Sequence, residues 1–286
     1  MPTTSTFRSF PKSNFSNKKA GALLATGMIS STVHNENDPA LAILSEFIES
    51  DKSLLRATSI MGLGIAYTAS NREDLKDLLL PIVSDTSLDL QLTGVASVAL
   101  GQIFIGQGAK EDNEIASTML QTLMEMEPEQ LKSPWTKLYV LGLGLLFFGK
   151  QDASDAIVET LKAIDHPIAH EAIVLLNMCS FAGTGEVLRI QQLQRVCADE
   201  DEESEEKDKN KDSKEEKKDD DKKDDDKNED EKKDGKGAFK AGLAVIAIAA
   251  IAMGEDVGKE LCMRLFGHLV ISLINETDDR CISASQ

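Results

Sequence analysis

The chain has 286 residues, 49 of them acidic and 31 basic, for a net charge of −18 at pH 7. That balance excludes a nucleic-acid binder relying on a basic face and makes an anionic membrane a poor partner. Four cysteines without CxxC spacing, Cys179, Cys197, Cys262 and Cys281, read as reduced, packed thiols of a cytosolic or nuclear protein.

Residues 1–18 carry Arg8 and lysines but no acid, and they read as a disordered or atypical N-terminal segment without the amphipathic pattern of a transit peptide. From Lys19 a small-residue phrase recurs. It appears as Ala20-Gly21-Ala-Leu-Leu-Ala-Thr-Gly27, Ser59-Ile-Met-Gly62-Leu-Gly64, Ser97-Val-Ala-Leu-Gly101, Tyr139-Val-Leu-Gly142-Leu-Gly144, Leu175-Leu-Asn-Met-Cys-Ser-Phe-Ala-Gly183 and Ala247-Ile-Ala-Ala-Ile-Ala-Met-Gly254. The last small residues of the phrases are Thr32, Ala69, Gly106, Gly149, Gly183 and Gly254. The first four intervals between them fall within the range of solenoid repeats, roughly 20 to 50 residues. The fifth, from Gly183 to Gly254, is far longer and holds an insertion.

Each phrase is an apolar run too long for a typical strand, which predicts a buried helix. An amphipathic segment follows each one: Pro39–Ile48, Glu73–Ile82, Glu111–Met126, Ala153–Ile164, Gly185–Val196 and Glu255–Val270. Acidic residues at most of their starts suit the positive end of a helix dipole. The expected fold is all-α, an α-solenoid of stacked helix pairs. A helical glycine costs about 1 kcal/mol relative to alanine, so its recurrence predicts close approach between the buried helices of successive repeats.

Residues 199–236 hold 21 Asp or Glu and 12 Lys with essentially no apolar residue, and predict a disordered, solvated insert. The expected organisation is repeats 1–5 over 19–198, the charged insert over 199–237, repeat 6 over 238–269 and an atypical tail over 270–286. The apolar run Ala241–Met253 spans thirteen residues, too few for about 30 Å of hydrocarbon.

Candidate chemistry is sparse. Gly144-Leu-Leu-Phe-Phe-Gly149-Lys150-Gln151 approaches a phosphate-binding loop, but Gln151 stands where Ser or Thr would meet magnesium, and a helix replaces the strand. His166 and His170 have an i, i+4 spacing without an intervening glutamate or a third ligand, and Pro167 is expected to start a helix with His166 outside it. No Gly-x-Ser-x-Gly elbow or Cys–His pairing is evident. The expectation is a non-enzyme with no cofactor and no metal. These two weak patterns leave a metal- or nucleotide-dependent helical-repeat enzyme as the alternative.

Several motifs together carry a family resemblance from Lys19 to Leu269. They are Lys19-Ala-Gly-Ala-Leu-Leu-Ala, Asn37-Asp-Pro-Ala-Leu-Ala-Ile-Leu-Ser, Gly62-Leu-Gly-Ile-Ala-Tyr-Thr-Ala-Ser-Asn-Arg-Glu-Asp-Leu, Leu79-Leu-Pro, Leu120-Gln-Thr-Leu-Met-Glu125, Phe181-Ala-Gly-Thr-Gly-Glu-Val-Leu, Ile248-Ala-Ala-Ile-Ala-Met-Gly-Glu, Arg264-Leu-Phe-Gly-His-Leu269 and the charged insert. They resemble the proteasome/cyclosome repeat family, and within it the largest non-ATPase scaffold of the 26S regulatory particle base, of which this chain looks like a fragment. The resemblance implies a toroid of helix pairs, partial here, that contacts the proteasomal ATPase ring. It also implies docking of ubiquitin, of the ubiquitin-like domains of shuttle factors and of a ubiquitin-specific deubiquitinase, in cytoplasm and nucleus. The second large proteasome repeat subunit and the cyclosome scaffold are the alternatives within the family. Six repeats do not close the family's ring, so apolar faces are expected at both ends.

The family's ubiquitin-like docking surface corresponds to the helix expected over Glu111–Met126. On a helical wheel Glu114, Thr118, Gln121 and Glu125 share one face, with Ile115, Met119, Leu120, Leu123 and Met126 opposite. The implied site is an acidic stripe suited to a basic-rimmed partner. Some relatives carry an acid at the position of Gln121. Flanking contacts are expected from 73–80 and 153–161, while the departure from the family before Lys19 puts deubiquitinase docking in doubt.

Overall fold

The structure, a computed structural model, describes residues 12–31, 38–110, 113–195 and 242–253. All regular elements among them are helical. In chain order they are α1 (Lys12–Ser30), α2 (Pro39–Ser45), α3 (Ser53–Ala66), α4 (Glu73–Ser84), α5 (Leu90–Ile103), α6 (Glu114–Glu125), α7 (Pro128–Leu131), α8 (Pro134–Leu146), a 3-10 turn (Gln151–Ser154), α9 (Asp155–Lys162) and α10 (Ile168–Ser180). Helical residues 187–195 and 242–252 follow. The expected insert 199–237, the helix over Glu255–Val270 and the tail lie outside the described residues, as do Cys197, Cys262 and Cys281.

The phrase helices stack in series, α1 on α3, α3 on α5, α5 on α8 and α8 on α10. The amphipathic helices form a second layer. Each leans toward the phrase helix that follows it: α4 packs on α5, and α9 on α10. Helix α1 begins at Lys12, ahead of the expected boundary at residue 18. The short α7, initiated by Pro128, has no counterpart in the sequence pattern and falls within the longest uninterrupted step of the repeat.

Close approach in the inner layer is as the recurring glycines predicted. A methyl group on Gly101 would collide with the backbone of Gly142, and one on Gly142 with the backbone of Ser97. Ser97 Oγ, fully buried at this crossing, donates to the Tyr139 carbonyl at 2.6 Å.

Among the described residues, the small residue ending a phrase has a second role. Ala69, Gly106, Gly149 and Gly183 all adopt left-handed backbone conformations, with φ of 61°, 70°, 70° and 72°. Each then points its N–H at the next inner helix. Ala69 donates to Gln102 O at 2.9 Å, Gly106 to Leu145 O at 3.1 Å, Gly149 to Cys179 O at 3.0 Å and Gly183 to Ala250 O at 2.9 Å. A second rung joins Asn71 to Ile103 O, Gly108 to Leu146 O and Gly185 to Ile251 O. The acceptors are last-turn carbonyls that a helix cannot satisfy internally. The ladder keeps one register although the spacing of its acceptors along the chain varies, being shortest from Leu145 to Cys179 and longest from Cys179 to Ala250.

An aromatic ring closes each of these helices two residues before the left-handed turn: Tyr67, Phe104, Phe147 and Phe181 are the C-caps of α3, α5, α8 and α10. The last three are buried. These rings add apolar burial where the chain leaves the inner layer.

Candidate functional site

Helix α6 starts at Glu114, later than the expected Glu111. The reason is local: the Asn113 side chain accepts the Ala116 N–H at 3.0 Å and caps the helix there. Residues 111 and 112 lie outside the described residues. Ile115, Met119, Leu123 and Met126 are buried and Leu120 packs beside them, as the wheel required. Tyr139 of α8 donates its hydroxyl to the Met119 carbonyl at 3.2 Å, fixing α6 on the inner layer. Burial raises the Tyr139 pKa, so its hydroxyl stays a donor.

The opposite face presents the expected stripe. Glu114, Gln121 and Glu125 are exposed, while Thr118 is half-buried between them. Their charge is partly committed. Lys76 of α4 lies 3.3 Å from Glu114 and 2.7 Å from Glu73, and its pKa is raised by these two carboxylates. Gln121 Nε2 donates to Glu125 Oε1 at 2.8 Å, which orients that carboxylate along the helix. Among the described residues Glu125, unlike Glu114, has no cation beside it. Sequence reasoning missed Met124, which is 54% exposed three residues from Gln121. Its signal was an apolar residue at a wheel position outside the buried set.

Lys76 is one of three contacts lacing the starts of the outer helices. Arg72, before α4, pairs with Asp38, before α2, and with Asp74 at 2.5 Å, and its guanidinium lies 4.9 Å from the centre of the Tyr67 ring. The Tyr67 hydroxyl donates to Asp38 and accepts the Leu41 N–H at 2.9 Å. Burial and then the Asp38 hydrogen bond push the Tyr67 pKa up to about 12. Arg189 repeats the arrangement, pairing with Asp155 of α9 at 2.7 Å over the Phe181 ring at 4.6 Å.

Replacing Arg72 by methionine should lower stability by about 1 kcal/mol, since the fork and the stacking are lost at a partly exposed site. The Asp74 carboxyl is held below its usual 3.8 chiefly by the hydrogen bond from Arg72. Its contribution is therefore present above pH 3.8 and lost as pH falls through the lower folded value, so the difference between wild type and R72M should narrow in acid. Urea unfolding of both proteins at pH 7 and pH 3 checks this.

The other sequence candidates resolve into structure. Gly144 lies inside α8 against Cys179 and Leu175, and the Gly149 and Lys150 N–H groups are bonded to Cys179 O and Phe147 O. Those N–H groups are not turned toward a phosphate. His166 lies outside α10, as expected, and its Nδ1 accepts the Ile168 N–H at 3.2 Å at the helix start. Among the described residues no three His, Cys, Asp or Glu side chains are placed to hold a metal, and no helix is long and apolar enough to cross a membrane. Cys179 is buried, and burial pushes its thiol pKa up to about 12, which suppresses the nucleophilic thiolate.

Comparison with known proteins agrees with this architecture. Residues 58–91, from α3 to the start of α5, match the proteasome/cyclosome repeat. The chain is 44% identical over 258 residues to the 26S proteasome regulatory subunit rpn1 of Schizosaccharomyces pombe, covering 89% of this chain and 25% of that protein. It is 37% identical over 255 residues to the 26S proteasome regulatory subunit rpn-1 of Neurospora crassa, covering 88% and 25%. Similarity to the 26S proteasome non-ATPase regulatory subunit 2 of Dictyostelium discoideum is 36% over 250 residues, covering 87% and 24%. The chain spans about a quarter of the length of these curated relatives. With the repeat match, the stacked helix pairs and this similarity along nearly nine tenths of its length, the chain belongs to the proteasome/cyclosome repeat family.

Proposed function

We propose that this chain is a piece of a non-catalytic scaffold in the base of the 26S proteasome regulatory particle, acting in cytoplasm and nucleus. Its similarity to proteins named as regulatory subunits supports the assignment. In this reading repeats 1–5 over 19–198 and repeat 6 over 238–269 form one stack interrupted by the charged segment 199–237. The stack contacts the ATPase ring and holds incoming ubiquitin or ubiquitin-like domains for regulated degradation.

The docking site is the outward face of α6. The observation that carries it is the combination of Glu125, Gln121, Glu114 and exposed Met124 on a helix whose other face is anchored in the core. An apolar side chain flanked by acidic and amide groups matches a ubiquitin fold that presents an apolar patch inside a basic rim. The charges steer and orient, and Met124 supplies desolvated contact. Thr118 sits at the centre of the stripe, where a larger side chain would hold the partner off. Segments 73–80 and 153–161 flank it.

Substituting both Glu114→Arg and Glu125→Arg should weaken binding of a ubiquitin-like domain by about tenfold at low salt, with helicity unchanged. Calorimetric titration and circular dichroism measure the two. Unaltered affinity would remove the stripe from the site. Glu125→Arg alone should carry most of the effect, because Glu114 is already engaged by Lys76.

A further inference from the structure

The hydrogen-bonded ladder gives α5, α8, α10 and 242–252 a common register, and α10 differs from the others in its chemistry. The second-rung acceptors Ile103, Leu146 and Ile251 occupy the same position in α5, α8 and 242–252, and all three are fully buried. Three residues earlier stand Leu100, Leu143 and Ile248, also buried. In α10, whose first-rung acceptor is Cys179, the equivalent residues are Ser180 and Asn177. Both polar side chains are buried, Ser180 completely and Asn177 to 7% exposure. Among the described residues, neither Ser180 Oγ nor Asn177 Oδ1 has a hydrogen-bond partner.

Two further observations fall at the same helix. The buried apolar side chains divide within α10 into one cluster running from α1 to Leu176 and another formed by Val174, Phe181, Ile190, Leu193 and residues of 242–252. The close-approach glycine present as Gly64, Gly101 and Gly144 is replaced in α10 by Met178, five residues before the left-handed turn. A buried polar atom without a partner raises the energy of the closed state, because opening returns it to water. Two such atoms, at positions filled by branched apolar side chains in α5, α8 and 242–252, lower the cost of separation at this layer.

We propose that α10 is an uncoupling point, from which the helices over 187–195 and 242–252 open as a unit while α5 and α8 stay packed on each other. The rungs from Gly183 to Ala250 and from Gly185 to Ile251 are the bonds that part. This gives the layer beyond α10 freedom to reorient without unfolding the scaffold, and α6 does not take part in it.

Native-state amide hydrogen exchange on the full chain tests the proposal. The Gly183 and Gly185 amides should exchange about 100-fold faster than those of Gly106 and Gly108, whose bonds join α5's turn to α8 in the same way. Ser180→Ala, which removes the orphaned hydroxyl without adding bulk, should slow Gly183 and Gly185 by about threefold or more and leave Gly106 unchanged. Asn177→Leu, the residue at this position in α5 and α8, should slow them further. Equal protection of all four amides in the wild type would overturn the proposal. Faster exchange at Gly183 in Ser180→Ala would overturn it as well, since the hydroxyl would then be holding the layer closed.

Discussion

Substituting Gly142→Ala should destabilise the protein by about 3 kcal/mol, whereas Gly149→Ala in the turn that follows α8 should cost about 1 kcal/mol. Helix propensity alone predicts the opposite at Gly142, because alanine inside a helix is favoured over glycine by about 1 kcal/mol. The packing decides the sign. An added methyl at Gly142 would meet the backbone and hydroxyl of Ser97 in α5, and backbone cannot rotate away as a long side chain can. The buried bond from Ser97 to the Tyr139 carbonyl would be strained in the same event. Gly149 has open space around it, and only its φ of 70° penalises a side chain. Urea unfolding of the two variants side by side measures the contrast. Equal losses would mean that the inner helices separate freely and that the glycines serve turn geometry alone.

Lys137→Met should cost about 2 to 3 kcal/mol. Glu171 lies in the first turn of α10 with its side chain 10% exposed, and its carboxylate is 3.2 Å from Lys137 Nζ of α8. Removing the lysine leaves a buried carboxylate without its cation, the outcome that makes breaking a buried pair expensive. The lysine is itself about one-third exposed, which moderates the loss. The double variant Lys137→Met, Glu171→Leu should regain most of the stability, because it removes both charges together. Thermal unfolding of the single and double variants separates the two cases. Additive losses would show that the pair is not coupled.

Much of the fold was legible in the sequence because its signals are local or periodic. Apolar run length marked the inner helices, small-residue spacing the repeat, and amphipathic segments with acidic starts such as Glu73 and Glu111 the outer helices. What escaped depended on partners distant in sequence. The terminal residues of the phrases could be aligned, but that their N–H groups reach a whole repeat onward, from Ala69 to Gln102 and from Gly183 to Ala250, is a property of the stack. The aromatic C-caps were visible as letters, yet Tyr67, Phe104, Phe147 and Phe181 gain meaning only once each is seen to close a helix ahead of a left-handed turn. The wheel placed Glu114, Gln121 and Glu125 on one exposed face, but it could not supply Lys76 from another helix or show Asn113 shortening α6. Met124 went unassigned, although its position on the wheel already set it apart from the buried residues.

The ladder separates two quantities that most globular folds tie together, the length of the chain and the geometry of the core. Its rungs are made by the backbone at the ends of inner helices, and they recur in the same register whether successive acceptors are as close in sequence as Leu145 and Cys179 or as distant as Cys179 and Ala250. The return path from one layer to the next is thus released from any duty to set spacing. Such a scaffold can lengthen its connections by insertion while the bonds along its inner wall keep their register.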